Sequence, residues 1–316
     1  YYGNASAAAG SNSTLFSLYN GLEGYWAMNE SSWNTTVGEI KDNSVNAAHG
    51  VSRGDATTTA SGQFSRGALL DGSADSFSAP DNAGLELGAS DFTVATWVYM
   101  TSLPNTGFGA ALYAKDGGAA AFAPLDIVVR STSADAENDI HVWMSTNGSS
   151  WDVMNDVDLG GGSSLTLSTW HHVAFIRESG VCKLYIDKVV TATTASGVAC
   201  SGTLVNTTGT HYFGGQFQAP NGNGMAGRMD DARIYTRALS GTDLTNLYAN
   251  PGAVATNVNA TIVPSTSFAA EEKGSSPIAY WKFDDGQGTT VQDSTSNNKD
   301  GTLAASTATP TWQTED

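Results

Sequence analysis

Short runs in which apolar and polar residues alternate, each ended by Gly, Asn or Ser, recur along this chain and constrain its fold more than any other feature. The clearest is Trp170–Val190, two period-two runs joined by Glu178-Ser179-Gly180, the pattern of a β-hairpin. Asp91–Met100 alternates around Phe92, Val94, Val98 and Met100, and Arg66–Pro80 reads as two short strands around a Gly-Ser turn. Further strands are predicted at Gly21–Asn29, Ala110–Lys115, Leu125–Arg130, Asp139–Ser145 and His211–Gln216. Alternation places successive side chains on opposite faces, so each run is a strand with one face to bury. Many such strands and almost no helix predict an all-β chain, two antiparallel sheets packed face to face.

The segment Gly224–Asn250 completes the pattern. Its strand is predicted to carry Met229, Asp231, Arg233 and Tyr235 on one face and Asp230, Ala232 and Ile234 on the other, and to end near Ala238. Ser240 and Asp243 then form a relative of the capping box, opening a short helix that buries Leu244, Leu247 and Tyr248. A strand with two adjacent carboxylates followed by a small capped helix resembles the closing strand of laminin-G-like (concanavalin A-like) domains. Three other segments resemble the same family: TWHHVAFIRESGVCKLYIDKVV from Thr169, DFTVATWVYM from Asp91, and RGALLDGSADSFSAP from Arg66. In the last, Ser76 stands where the family often has an aromatic residue, with Phe77 one place later. The resemblance implies a two-sheet antiparallel jelly-roll sandwich with one short helix after the closing strand, in an extracellular or cell-surface setting.

Residues 1–20 read as a lead-in, 21–250 as the sandwich, 251–277 as a linker with one extended strand at Ala260–Val263, and 278–316 as the start of a second repeat. Gly24-Tyr25-Trp26 returns as Ala279-Tyr280-Trp281. Asp42, Ser44, Asn46 and Gly50 return at identical offsets as Asp293, Thr295, Asn297 and Gly301. A partial repeat cannot close a sandwich. The expectation is therefore either a piece of a longer protein or self-association, with these C-terminal strands pairing with another chain by β-augmentation.

A formal charge of −17 leaves no basic footprint for nucleic acid or an anionic membrane, so neither is an expected partner. Clustered carboxylates at loop ends favour a bound cation instead. No apolar run approaches membrane-spanning length. The two cysteines, Cys182 and Cys200, argue by their even count for one disulfide, which would stabilise by about 3 kcal/mol on the loop-entropy account. Two buried thiols are the alternative, and without CxxC spacing a zinc site is not expected.

Asp-x-Ser/Thr-x-Asn-x-x-x-Gly, present twice, is the most specific short motif. Alternate oxygen-bearing side chains in a tight loop can converge on a hard cation, or can bond only local backbone as an Asx-turn network. The resemblance implies a structural Ca²⁺ near the rim, with Asp42, Asn46, Asp230 and Asp231 as its expected ligands and Asp71 and Asp75 as a second choice. Trp151 and Trp33 lie in polar loops and are the expected glycan platforms, whereas Trp26, Trp97, Trp143 and Trp170 lie in strands and are expected in the core. There is no HExxH, no GxSxG and no dinucleotide fingerprint, and Glu is scarce in the strands where a concanavalin-like hydrolase would carry its carboxylates. The expected function is a non-catalytic binding or adhesion module of a larger surface protein, recognising glycan or protein through rim loops. A structural subunit of a surface filament or pilus, and an accessory carbohydrate-binding domain of a secreted glycoside hydrolase, are the alternatives.

Overall fold

The computed structural model describes residues 18–104, 109–117, 122–130, 139–161, 165–215, 224–249, 279–282 and 289–303. Most of the expected lead-in, the linker at 251–277 and its strand at Ala260–Val263 lie outside these residues. Residues 18–249 belong to one compact unit and 279–303 to another.

In chain order the first unit holds β1 (Leu22–Trp26), β2 (Val51–Arg53), β3 (Thr57–Thr59), β4 (Gly67–Asp71), β5 (Ser76–Ala79), β6 (Phe92–Met100), β7 (Ala110–Lys115), β8 (Leu125–Arg130), β9 (Asp139–Met144), β10 (Met154–Asp158), β11 (Trp170–Glu178), β12 (Val181–Ile186), β13 (Val189–Val190), β14 (Val198–Ala199), β15 (His211–Phe213) and β16 (Ala226–Tyr235), then the helix α1 (Gly241–Ala249). The second unit holds β17 (Thr290–Val291) and β18 (Gly301–Thr302). One sheet runs β13-β12-β11-β6-β16-β4-β3, with β1 added on β16 and β14 on β12; the other runs β10-β9-β8-β7-β15-β5-β2. Every pairing is antiparallel. This is the expected two-sheet sandwich.

The inner faces meet in one core that contains Trp26, Phe77, Phe92, Phe175 and Phe213 together with Leu125, Ile127, Val129, Ile140, Val142 and Met144. Phe77 and Phe213 stack with ring centres 4.6 Å apart, and Trp26 tilts against Phe213 at 5.1 Å. The two sheets differ in what covers their outer faces. On the larger sheet, Ala95, Ala174, Ile176 and Tyr235 pack under Leu244 and Leu247 of α1. The helix starts as expected, with the Ser240 amide donating to Asp243 at 2.9 Å and the Asp243 amide donating back to the Ser240 hydroxyl at 3.2 Å. Tyr248 is half-buried and lies 5.0 Å from the Trp97 ring.

The strict alternation expected along β16 does not hold. Asp230 pairs with Trp97 on β6, but the next pairing is Arg233 with Ala95, so β16 carries one extra residue there. Asp231 takes it up in the left-handed region (φ 59°), which Asp tolerates better than most residues. Met229, Ala232 and Ile234 therefore all reach the inter-sheet core, while Tyr235 joins the cluster under α1. The hairpin ending at Val190 also differs from expectation. The chain turns back at Asp187-Lys188, both with positive φ as a two-residue hairpin turn requires, so Val189 and Val190 form a separate strand. Cys182 and Cys200 form the expected disulfide, tying β12 to the segment beyond β14.

The backbone of β16 also passes very close to β6. At Gly227 (φ 148°) a Cβ would lie 1.9 Å from the Tyr99 carbonyl oxygen, whereas at Gly241, the first residue of α1, it would meet nothing within 4 Å. Gly227→Ala is expected to destabilise by upward of about 1 kcal/mol in urea unfolding, and Gly241→Ala to be neutral or mildly stabilising. Equal effects of the two would contradict the close approach of β16 to β6.

Candidate functional site

The expected cation loop is built as a hydrogen-bond staple. Asp42 is buried, and its Oδ1 accepts from the amides of Tyr25 and Ser44, both at 2.9 Å. Its Oδ2 accepts from the Ala48 amide at 2.8 Å and the Ser44 hydroxyl at 2.9 Å. A carboxylate has about four lone-pair positions, and here all are filled by protein donors. The second unit repeats the arrangement. Asp293 accepts from the amides of Tyr280 (2.8 Å), Thr295 (2.9 Å) and Lys299 (2.7 Å) and from the Thr295 hydroxyl (2.8 Å). Burial alone would push the Asp293 carboxyl up, but these donors outweigh it and hold the group well below the usual carboxylate range.

The other expected ligands are also engaged elsewhere. The Asn46 amide nitrogen donates to the Glu23 carbonyl at 2.8 Å. Asp230 accepts from the Phe64 amide at 2.8 Å, and its burial raises its pKa to about 8. Asp231 pairs with Arg233 at 3.1 Å, and the guanidinium lies 4.1 Å from the Tyr25 ring centre. Asp42, Asn46, Asp230 and Asp231 thus do not form an oxygen cage, and they do not fit the expected Ca²⁺. Among the described residues, metal-ligating side chains do gather within 4.8 Å of one another at Asp55, Asp71 and Asp75, and at Asp139, His141 and Asp158.

The two expected aromatic platforms also separate. Trp33 is 6% exposed, packs 6.1 Å from Phe77 and donates its Nε1–H to Glu30 at 3.1 Å, so it belongs to the core. Trp151 stays half-buried in the β9–β10 loop, edge-on to Phe122 at 5.1 Å. That loop is fixed by Asn147 Oδ1, which accepts from the amides of Ser149 (2.7 Å) and Ser150 (2.9 Å), and by Asp152, which accepts from the Thr146 amide (2.8 Å).

The strand tryptophans do not all enter the core. Trp26 does; Trp97 is buried on the outer side beneath Tyr248; Trp143 and Trp170 are half-buried on outer faces. Trp143 matters most, because of its surroundings. In register across the smaller sheet lie Trp143 (β9), Asp126 (β8), Ala114 (β7), Tyr212 (β15) and Ser78 (β5). Ala111, Ala114, Val128 and Tyr212 form a low apolar floor against which Trp143 packs. The two aromatic residues stand three strands apart, about 14 Å.

Beside this row the Arg130 guanidinium lies 5.9 Å from the Trp143 ring centre and pairs with Asp156, which also bonds His141 Nδ1 at 2.9 Å. Asp126 Oδ1, Arg130 Nε and Asp139 Oδ1 are buried without a hydrogen-bond partner among the described residues. Burial first, and then the charge of Asp116, push the Asp126 carboxyl up to about 8, so it carries a proton at neutral pH and can both donate and accept. The arrangement offers a half-open ring face and, among the described residues, several unsatisfied donors and acceptors. The signal for it was in the alternation itself: in β9 Ile140, Val142 and Met144 face the core, which sends Asp139, His141 and Trp143 outward together.

Residues 71–245, more than half of the chain, match the family model Laminin_G_3, described as the concanavalin A-like lectin/glucanases superfamily. Similar solved structures include domain 4 of AbnA, a GH43 extracellular arabinanase from Geobacillus stearothermophilus, in complex with arabinotriose (18% identity, TM-score 0.54, covering 72% of this chain and 98% of that one). The binding domain of Paraclostridial Mosquitocidal Protein 1 is also similar (16%, 0.52, 73% and 52%). So is the ligand-binding domain of botulinum neurotoxin serotype D in complex with N-acetylneuraminic acid (13%, 0.52, 75% and 52%). The chain spans about half the length of the two toxin domains. At these identities the likeness shows the fold. No curated protein sequence matches the chain significantly.

Asp42→Ala leaves buried amides without acceptors, at about 1–3 kcal/mol each, so a loss of about 3 kcal/mol or more in unfolding free energy is expected, the same in Ca²⁺ and in EDTA. A loss confined to Ca²⁺-containing buffer would instead make Asp42 a metal ligand. Asp126 and Asp230 hold protons in the folded chain that they release when unfolded at neutral pH. Their contribution to stability is therefore fully present below about pH 4 and is lost as pH rises through about 8. Asp126→Asn should flatten part of that decline in thermal melts between about pH 5 and about pH 9. Parallel curves for the two proteins would mean that Asp126 is already ionised.

Proposed function

The chain belongs to the concanavalin A-like lectin/glucanases superfamily, and within it we propose a non-catalytic module of a larger extracellular protein that binds a neutral oligosaccharide across the outer face of β7, β8 and β9. One observation carries the reading: Trp143 stands half-open beside three buried polar atoms, on Asp126, Arg130 and Asp139, that have no partner among the described residues. A sugar ring presents an apolar C–H face to an aromatic ring and hydroxyls at its edge to such groups. Of the residues in this row Trp143 is the half-open aromatic face, while Ala111, Ala114, Val128 and Tyr212 are buried beside it.

Charge selects among glycans. The outer face of β8–β10 carries Asp139, Asp156 and Asp158 against Arg130 and His141, on a chain of formal charge −17. Neutral sugars avoid the repulsion that acidic ones would meet. Trp151 and Phe122, in the loop of the same β9–β10 hairpin, would extend the contact at the rim. The arabinotriose complex of the arabinanase domain, which shares the fold, supports an oligosaccharide as ligand class. The disulfide supports an oxidising, extracellular compartment.

Binding to an array of neutral and sialylated oligosaccharides tests the proposal. Neutral ligands are expected to bind, with Trp143→Ala weakening them about tenfold or more at an unchanged melting temperature, and Trp151→Ala weakening them less. Full affinity in Trp143→Ala would move the site off this face, and turnover of any bound glycan would overturn the non-catalytic reading.

A further inference from the structure

A buried lysine inside the sandwich lies outside the proposed sugar site. Lys115 ends β7 with its side chain 2% exposed. Its Nζ touches the Asp81 carboxylate, lies 3.3 Å from Glu86 Oε1 and 3.2 Å from His211 Nε2. His211 Nδ1 is in turn 3.0 Å from the Tyr113 hydroxyl, and both residues are fully buried. Rigid elements hold these groups. β5, β15 and β7 are neighbours, with His211 paired to both Lys115 and Ala79, and Asp81 follows β5 by two residues. Glu86 follows a 3-10 turn, Ala83–Leu85, capped by the Asn82 side chain.

We propose that Lys115 and Asp81 condense into an intramolecular isopeptide bond, with Glu86 carrying the protons and His211 orienting the amine. Lys115 Nζ attacks the side-chain carboxyl carbon of Asp81, forming a C–N bond. The C–O bond to one carboxyl oxygen breaks, and that oxygen departs with the two protons of the former ammonium as water. Ammonium and carboxylate become amide and water, so no oxidant, reductant or activating group is required.

The surroundings supply what the step needs. A lysine becomes nucleophilic only after losing a proton, and Glu86 Oε1, 3.3 Å away, lies within reach to take it. Burial first, then the Lys115 charge, lower the pKa of His211, so its ring is neutral and Nε2 accepts a hydrogen bond that orients the amine. Burial raises Glu86 above the usual carboxylate range, which suits it to hand a proton to the departing oxygen. The link would join residues 34 apart in sequence and fasten the segment after β5 to β7 by a covalent bond.

Intact-mass spectrometry of the full chain, with the disulfide reduced, decides the matter. The wild type is expected to be lighter than its sequence by one water, and its peptide map to show the Asp81 and Lys115 peptides as one branched species. Lys115→Arg and Glu86→Gln should each have the full mass of their sequences. A wild-type chain at full sequence mass, or a water loss that maps elsewhere, such as a succinimide at Asp71-Gly72, overturns the proposal. The wild-type peptide map gives this answer even where a variant fails to fold.

Discussion

The fold hangs on one extra residue in its central strand. β16 is flanked by β6 on one side and by β4 and β1 on the other, so its side chains decide how both faces of the larger sheet are filled. A regular strand would have put Met229 on the face opposite Ala232 and Ile234. The bulge at Asp231 brings all three into the inter-sheet core and sends Arg233 outward against Tyr25. Arg233 is 1% exposed, so its guanidinium must keep its charge partner, and Asp231, displaced by the same bulge, supplies it. Removing one side of a buried pair of this kind costs about 3–5 kcal/mol, which ties the irregular backbone to the ion pair that depends on it.

Regular strands were legible in the sequence because their period is visible without their neighbours. β4, β6, β7, β8 and the β11–β12 turn all fall where alternation put them. Bulges were not legible. One extra residue on β16, or in the β9–β10 pairing near Asp156, leaves the composition of a run untouched and shows only in the register with its partner. β2, β3 and β14 are two or three residues long and are defined by what they pair with rather than by any pattern of their own.

The Asp42 motif shows a different limit. Its spacing was readable, and so was its repetition at Asp293, but a spacing of oxygen-bearing side chains does not say whether they meet a cation or a backbone. The answer depends on Tyr25, which lies 17 residues upstream and presents its amide only because β1 docks beside β16. The repeat makes the point sharply. Trp281 and Asp293 form the same bridge as Trp26 and Asp42, and the Trp281 indole donates to the Lys299 carbonyl at 2.8 Å where the Trp26 indole donates to that of Ala48 at 3.1 Å. The motif codes for a local tie between a strand and the loop that follows it, and the tie forms twice.

The outer faces of the two sheets are covered differently. On the larger sheet α1 closes the middle strands with Leu244 and Leu247, Tyr248 covers Trp97, and Lys188 sits 4.5 Å from the Tyr248 ring. Beneath lie apolar side chains together with Trp97 Nε1 and His172 Nδ1, which have no hydrogen-bond partner among the described residues. On the smaller sheet the described residues place no helix over β8 and β9, and Trp143 is half-buried against Ala111, Ala114, Val128 and Tyr212. A face that served only to be wetted would be expected to carry its polar atoms in the open. Asp126, Arg130 and Asp139 instead each hold one polar atom out of water without a partner among the described residues, a cost that the hydroxyl groups of the proposed ligand would offset.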